Sequence, residues 1–307
     1  MTHFIQTLIS GLSLGSIYAL IALGYTMVYG IAKMLNFAHG DIIMIGAYAG
    51  IVTVNQLGLP PIVAVIVSVV ICAGLGMLIE FLAYKPLRQA PPLSVLITAI
   101  GVSYLLQNLA LYVTGGLNKN YPTIPWISDT VSVFGATTKM VTLATPVLTL
   151  VLVVLLVLLI NHTKIGMAMR AVAKDFETST LMGIKINNVI SMTFIIGSFL
   201  AAIGSMLFFT NYPGVTPTVG AMPGLKAFVA AVFGGIGSIP GAVIGAFIIG
   251  ICENIIKGLD TLLVAYGVIP TGIGLSTFAD AFTFVLLIII LVFKPTGLFG
   301  EKATDKV

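Results

Sequence analysis

The feature that most constrains this chain is the length of its stretches without charge. Residues 4–32 hold 29 consecutive positions with no Asp, Glu, Lys or Arg, residues 42–79 hold 38, and residues 186–225 hold 40. A helix crossing the ~30 Å hydrocarbon core of a bilayer needs about 20 such residues at 1.5 Å each. Helices of soluble domains average only about 10–14 residues, so a buried core helix does not account for these runs, and the two longer ones must each hold more than one element. Charged residues make up 8% of the chain and apolar residues 58%. Soluble domains carry about 25% charged residues, so this surface is built for lipid. The first run has only His3 in place of a basic leader. It is also longer than the apolar core of about 7–15 residues in a cleaved signal, so it is expected to be retained as the first span.

The pattern predicts an all-α polytopic membrane protein, read as one transmembrane domain over 1–307 with about eight spans. They fall at roughly 4–30, 42–56, 61–84, 93–116, 141–161, 188–211, 241–256 and 274–293, with a short helix at 223–234 and a broken or re-entrant stretch near 223–241. Gly58-Leu59-Pro60-Pro61 divides the 42–79 run, because proline ends helices and favours turns. Residues 119–140, with Tyr121-Pro122, Ile124-Pro125-Trp126 and Asp129, read as a polar loop carrying an interfacial aromatic. Lys85 and Arg88, then Lys164, Arg170, Lys174 and Lys185, then Lys294, Lys302 and Lys306 mark three basic segments. The positive-inside rule places all three in the cytoplasm, which puts 119–140 and the N-terminus outside, and the C-terminus and Lys33–Asp41 inside. Parity leaves one or three crossings between 212 and 293. The net charge of +4 reflects these loops and not a nucleic-acid surface. Cys72 and Cys252 lie in apolar segments and are expected to act as small hydrophobes. Small residues at four-residue spacing (Gly11/Gly15, Gly46/Gly50, Gly237/Gly241/Gly245) are expected to let helix backbones approach closely in lipid.

The loop 162–187 is the most informative segment. Ile165, Met169, Val172, Phe176 and Thr180 recur at helical steps and share one face, with Arg170, Lys174 and Glu177 on a neighbouring face and Gly183 as a helix-ending residue. An amphipathic helix of this kind lies in the lipid interface or seats its apolar face in a partner's groove. Glu177-Thr178-Ser179-x-x-x-Gly183 resembles a degenerate form of the Glu-Ala-Ala-x-x-x-Gly loop of bacterial ABC importer permeases; hydroxyl residues replace both alanines and the downstream proline is missing. Five further segments, GLSLGSIYALIALGYTMVYGI (11–31), LNFAHGD (35–41), RAVAKDFETSTLMGI (170–184), LKAFVAAVFGGIGSIPGAVIG (225–245) and KPTGLFG (294–300), resemble the LivH-type branched-chain amino acid ABC permeases, with similarity from Leu12 to Gly300. The resemblance implies a multi-pass inner-membrane subunit that pairs with a second, related permease. Two cytoplasmic ATPases drive the pair and a periplasmic binding protein delivers the amino acid. It assigns Arg170, Phe176, Glu177 and Gly183 to coupling with the ATPases. The chain has no G-x-x-x-x-G-K-[ST] run, so ATP is expected on the partners and no cofactor on this chain.

Two groups are candidates for the pathway or its gate. Gly234, Gly235, Gly237, Ser238 and Pro240 would interrupt a helix, and such backbone is tolerated in a membrane only inside protein or along a water-filled cavity. Asn36, His39 and Asp41 form the other; topology places them near the cytoplasmic face, as a gate or cap. Asp280 precedes 13 uncharged residues, roughly 20 Å of helix. It therefore lies within the core, where a carboxylate is costly, as a structural partner or as a pathway residue. Glu80 is expected at the interface, and Glu253 is four residues before Lys257, the favourable order for a helical pair. An ion-coupled carrier would need converging carboxylates, of which Asp280 is the one candidate. An intramembrane enzyme would need a nucleophile–base pair or metal cluster, for which three His at 3, 39 and 162 offer little. The apolar composition fits leucine, isoleucine or valine as cargo, with other amino acids, urea or short amides as alternatives.

Overall fold

A computed structural model describes residues 2–300 apart from Phe134, Tyr266 and 268–273. The side chain of Trp126, and Lys302 and Lys306 of the tail, lie outside the described residues. The protein is a helical membrane bundle. In chain order the helices are α1 (Thr2–Ala32), α2 (His39–Ile51), α3 (Pro61–Ile79), α4 (Pro92–Thr114), α5 (Pro125–Ser128), α6 (Met140–His162), α7 (Lys164–Lys174), α8 (Phe176–Leu181), α9 (Ile186–Asn211), α10 (Ala221–Gly234), α11 (Ile239–Ala265) and α12 (Ala279–Phe293). Wider π-helical turns extend α2 over Val52–Gln56 and α3 over Glu80–Tyr84. Proline opens α3, α4 and α5 at a position whose N–H would be unpaired in any case. Gly115, at φ 70°, ends α4.

Among the described residues, six helices are long and apolar enough to cross a membrane: α1, α3 with its extension, α4, α6, α9 and α11. The apolar α10 and α12 are shorter. The eight expected spans and the short helix at 223–234 therefore resolve into six full-length helices, two shorter apolar ones and α2. α10 starts inside the bundle and ends beside α7, where α11 sets out in the opposite direction, so the segment after 212 holds a half-length helix, a long one and a short one. Burial separates centre from rim. The apolar windows of α1 and α9 are 72% and 67% buried, against 28%, 22% and 17% for α3, α4 and α6. Apolar residues exposed on α3, α4 and α6, such as Val70, Leu105 and Leu150, suit the lipid that their composition predicts.

The Gly11/Gly15 and Gly241/Gly245 pairs bring helix backbones together as expected, whereas Gly46 and Gly50 meet side chains. A Cβ on Gly11 or Gly15 would stand 3.0 Å from the Cα of Ile251 and 2.9 Å from that of Phe247, so the antiparallel α1–α11 pair meets backbone to backbone. Gly46 faces Cys72 and Ser205. At the end of the bundle that carries 119–140, Lys119–Asn120 (β1) pairs antiparallel with Gly214–Val215 (β4), and Thr130–Val133 (β2) with Ala136–Lys139 (β3). The first ladder ties this loop to the segment entering α10.

Candidate functional site

Asn36, His39 and Asp41 are inside the bundle. Each is at most 2% exposed, and the His39 ring meets Tyr25 edge-on, 4.8 Å between centroids. A Cβ on Gly24 would collide with the His39 imidazole. Gly24 precedes the end of α1 by eight residues, roughly 12 Å of helix. The expectation that this cluster sits near the cytoplasmic face is thus corrected: residues 33–38 turn back into the protein, starting at Lys33 with φ 56°. Charge counting registers which side a loop's lysine is on but not whether the loop re-enters. The Tyr84 hydroxyl lies 3.1 Å from Asn36 Oδ1 and 3.2 Å from the Leu35 carbonyl. Gln107 Nε2 donates to Asp41 Oδ1 at 2.9 Å. Asp41 stands in the first turn of α2, where a carboxylate complements the positive end of the helix.

The start of α10 meets the start of α2 at this depth. A Cβ on Gly224 would be 2.6 Å from the Cα of Gly40, and one on Gly40 would be 3.2 Å from the Cα of Gly224. From that junction α2 runs towards the 119–140 end and α10 towards the 162–187 end. Two helices therefore start within the bundle with their N-termini converging, as in the interrupted helices of transporters.

An ionic cluster lies beside this junction. Lys226 Nζ is 2.8 Å from Glu253 Oε1 and 2.6 Å from Asp280 Oδ1; Lys257 Nζ is 2.6 Å from the same Glu253 oxygen; Tyr18 donates its hydroxyl to Glu253 Oε2 at 3.0 Å. Glu253 and Lys226 are buried, whereas Asp280 and Lys257 are close to half exposed. The expected Glu253–Lys257 pair forms, and Asp280 gains a lysine 54 positions away in sequence. Sequence reasoning passed over Lys226. The available signal was that it is the only charged residue between 186 and 252. A cavity of about 540 Å³ opens against the cluster, lined by Lys226, Glu253 and Lys257 on one side and by Leu14, Phe208 and Met222 among others.

The glycine break falls at 235–238, between α10 and α11. Gly235 and Gly237 adopt φ 107° and 97°, a region that side chains disfavour. Gly237 packs on Gly30 and lines a crevice with Met169 and Arg170 of α7, so the break lies at the 162–187 end of the bundle and not at mid-depth. The carbonyls of Phe233 and Gly234 accept from the N–H groups of Leu298 and Phe299 at 2.9 Å each. A Cβ on Gly235 would stand 2.8 Å from the Gly300 Cα. Ser238 Oγ accepts from the Gly241 N–H at 3.2 Å across the start of α11, whose second residue is Pro240. These glycines admit the 294–300 tail.

The loop 162–187 is two helices where one was expected. Thr163 caps α7, accepting from the Gly166 N–H. Asp175 breaks the run, its Oδ1 accepting from Glu177 and Thr178 N–H at 2.9 and 3.2 Å to start α8. A carboxylate hidden in a helical pattern doubles as an N-cap, which periodicity alone does not reveal. Met169 and Val172 are buried, and α7 packs on α1, α6 and α9. Met169 and Val172 of the apolar face are thus seated on the subunit itself, while Ile165 and Thr180 of that face are exposed. Phe176 is half-buried and lines a cavity with Lys33, Arg88 and Ile186. Arg170 is exposed and reaches Asn161 at 3.3 Å. Glu177, Thr178, Thr180, Leu181 and Met182 form the outward face of α8. Gly183 closes it with φ 81° and its N–H bonded to the Thr180 carbonyl at 3.0 Å. Glu80 is buried, not interfacial; it pairs with Arg88 and accepts from Ser191 Oγ at 2.7 Å.

A multi-pass bundle with interrupted helices and a helical loop at one end is the architecture of a membrane permease. Residues 7–292 match the family described as branched-chain amino acid transport system, permease component, and the chain belongs to that family. It is 38% identical to the high-affinity branched-chain amino acid permease protein BraD of Pseudomonas aeruginosa, over 99% of this chain and 98% of that one. The LivH protein of Escherichia coli K12 gives the same identity and coverage. The ribose import permease protein RbsC of Haemophilus influenzae is 25% identical over 80% of this chain and 75% of its own.

Proposed function

We propose that this permease carries leucine, isoleucine and valine across a bacterial inner membrane as one half of a binding-protein-dependent importer. One observation carries the cargo assignment: the likeness to branched-chain amino acid permeases extends over nearly the whole of both chains, whereas the likeness to a sugar permease is weaker and partial. In this reading a second, related permease completes the membrane pair, a periplasmic protein delivers the amino acid, and two cytoplasmic ATPases bind and hydrolyse ATP. The absence of a phosphate-loop sequence from the chain supports ATP on the partners. The basic segments at 85–88, 162–187 and 294–307 support a cytoplasmic C-terminus and a periplasmic N-terminus. The outward residues of α8, ending in the exposed Leu181 and Met182, present the docking surface for the ATPases; Arg170, Phe176, Glu177 and Gly183 shape and anchor it. Purification of the tagged subunit from its native membrane tests the assembly, with both ATPases and a second permease expected in the eluate. Competition of labelled leucine uptake by isoleucine and valine, and not by ribose or urea, tests the cargo.

A further inference from the structure

The cavity beside the ionic cluster combines features that match one kind of molecule. One wall is charged, through Lys226, Glu253 and Lys257. The rest includes Leu14, Phe208, Val219 and Met222, which are apolar, and Tyr18 and Tyr212. The volume of about 540 Å³ lies within the range of small-molecule sites. The first turn of α10 contributes Met222 and Pro223 to the lining, so the positive end of that helix borders the cavity.

The charges are arranged for exchange. Lys226 and Lys257 share one oxygen of Glu253, Tyr18 holds the other, and Asp280 holds Lys226 from its second side. Two cations and two anions sum to zero. A neutral zwitterion entering the cavity leaves the site's net charge unchanged. Its carboxylate can take a share of Lys226, Lys257 and the α10 N-terminus while its ammonium takes a share of Glu253. A lone cation or anion would leave one of these buried charges uncompensated, at high cost. A sugar would have to replace buried ion pairs with weaker neutral hydrogen bonds. The apolar residues then receive a hydrocarbon side chain. A clamp joining α10, α11 and α12 would need the ion pairs but no adjoining apolar cavity.

We infer that this cavity receives the zwitterionic headgroup and aliphatic side chain of the transported amino acid within the membrane, with Lys226 and Glu253 contacting the carboxylate and ammonium. The assignment rests on the reading of the chain as a branched-chain amino acid permease. It predicts two separable behaviours of the complete transporter in proteoliposomes, with the binding protein outside. First, Met222→Trp narrows the apolar wall and shifts the leucine-to-valine uptake ratio towards the smaller side chain, by roughly ten-fold for a well-fitted pocket. Each variant is its own reference, because both substrates use the same folded molecules. Second, Lys226→Met and Glu253→Gln each lose leucine uptake and lower the thermal midpoint, and the fourfold swap Lys226→Glu, Lys257→Glu, Glu253→Lys and Asp280→Lys, which inverts every pair of the cluster, restores the midpoint but not uptake, since the inverted cluster meets the amino acid with the wrong polarity. An unchanged leucine-to-valine ratio in Met222→Trp overturns the assignment. Recovery of uptake together with the midpoint in the swap also overturns it and leaves a structural clamp. A wild-type transporter that takes up none of the three amino acids overturns the cargo reading itself, and is recognised by the missing wild-type signal before any variant is compared.

Discussion

Gly224 and Gly40 show how little space a single position can have where α2 and α10 converge. A methyl group on Gly224 would stand 2.6 Å from the Gly40 Cα, backbone that cannot rotate away. Gly224→Ala is therefore expected to cost about 1–3 kcal/mol through overpacking. Gly74 and Gly101 sit in the interiors of α3 and α4 with nothing within 4 Å of an added Cβ. There the same change removes a flexible helical glycine, with an expected gain of about 0.5–1 kcal/mol. Thermal midpoints of the three purified variants check both signs; a neutral Gly224→Ala would mean that the two helix starts do not meet as described. Gly235→Ala combines a disfavoured φ with a clash against Gly300, for about 1–3 kcal/mol. It should free the tail and speed chymotrypsin cleavage after Phe299, which is held to Gly234. A loss of transport with unchanged protection of Phe299 would instead return this glycine to the translocation path.

At the scale of the element, α7 and α8 divide work that the sequence pattern joins. Phe176 faces its own subunit, so Phe176→Asp should destabilise the permease itself by about 1–3 kcal/mol. Leu181 is 86% exposed, and Leu181→Asp should leave the midpoint within about 0.5 kcal/mol while the ATPases are lost on purification. ATPases retained by Leu181→Asp would remove α8 from the docking surface. The long spans, the polar loop and the glycine contacts were legible because lipid demands continuous apolar helices and close packing demands small residues, both visible as local patterns. The re-entry at 33–38 was not, since it depends on Lys33 adopting a left-handed backbone and on a histidine fitting beside Gly24. Nor was the Lys226–Asp280 pair, which is made by tertiary packing of α10 against α12. Asp280 itself was found, because a carboxylate so far inside an uncharged run stands out. Lys226 would have been found by asking the same question of lysines. Asp175 was read through because an N-cap within a helical period looks like one more polar residue.

For the whole molecule, coupling to ATPases through α8 requires the loops 119–140 and 162–187 to lie on opposite sides of the membrane. α6 alone separates them, and Thr130 and Thr178 are exposed representatives. In a background free of Cys72 and Cys252, Thr130→Cys should react with an impermeant thiol reagent on intact cells, and Thr178→Cys only after permeabilisation. The reverse pattern would put α8 on the wrong side for any ATPase. An ATP-driven permease for branched-chain amino acids should accumulate leucine in the reconstituted complex with ATP enclosed. Accumulation should vanish when the phosphate-loop lysine of the partner ATPases is replaced and should survive a protonophore. Accumulation that persists with the disabled ATPases and collapses with the protonophore would contradict the account and mark an ion-coupled carrier instead.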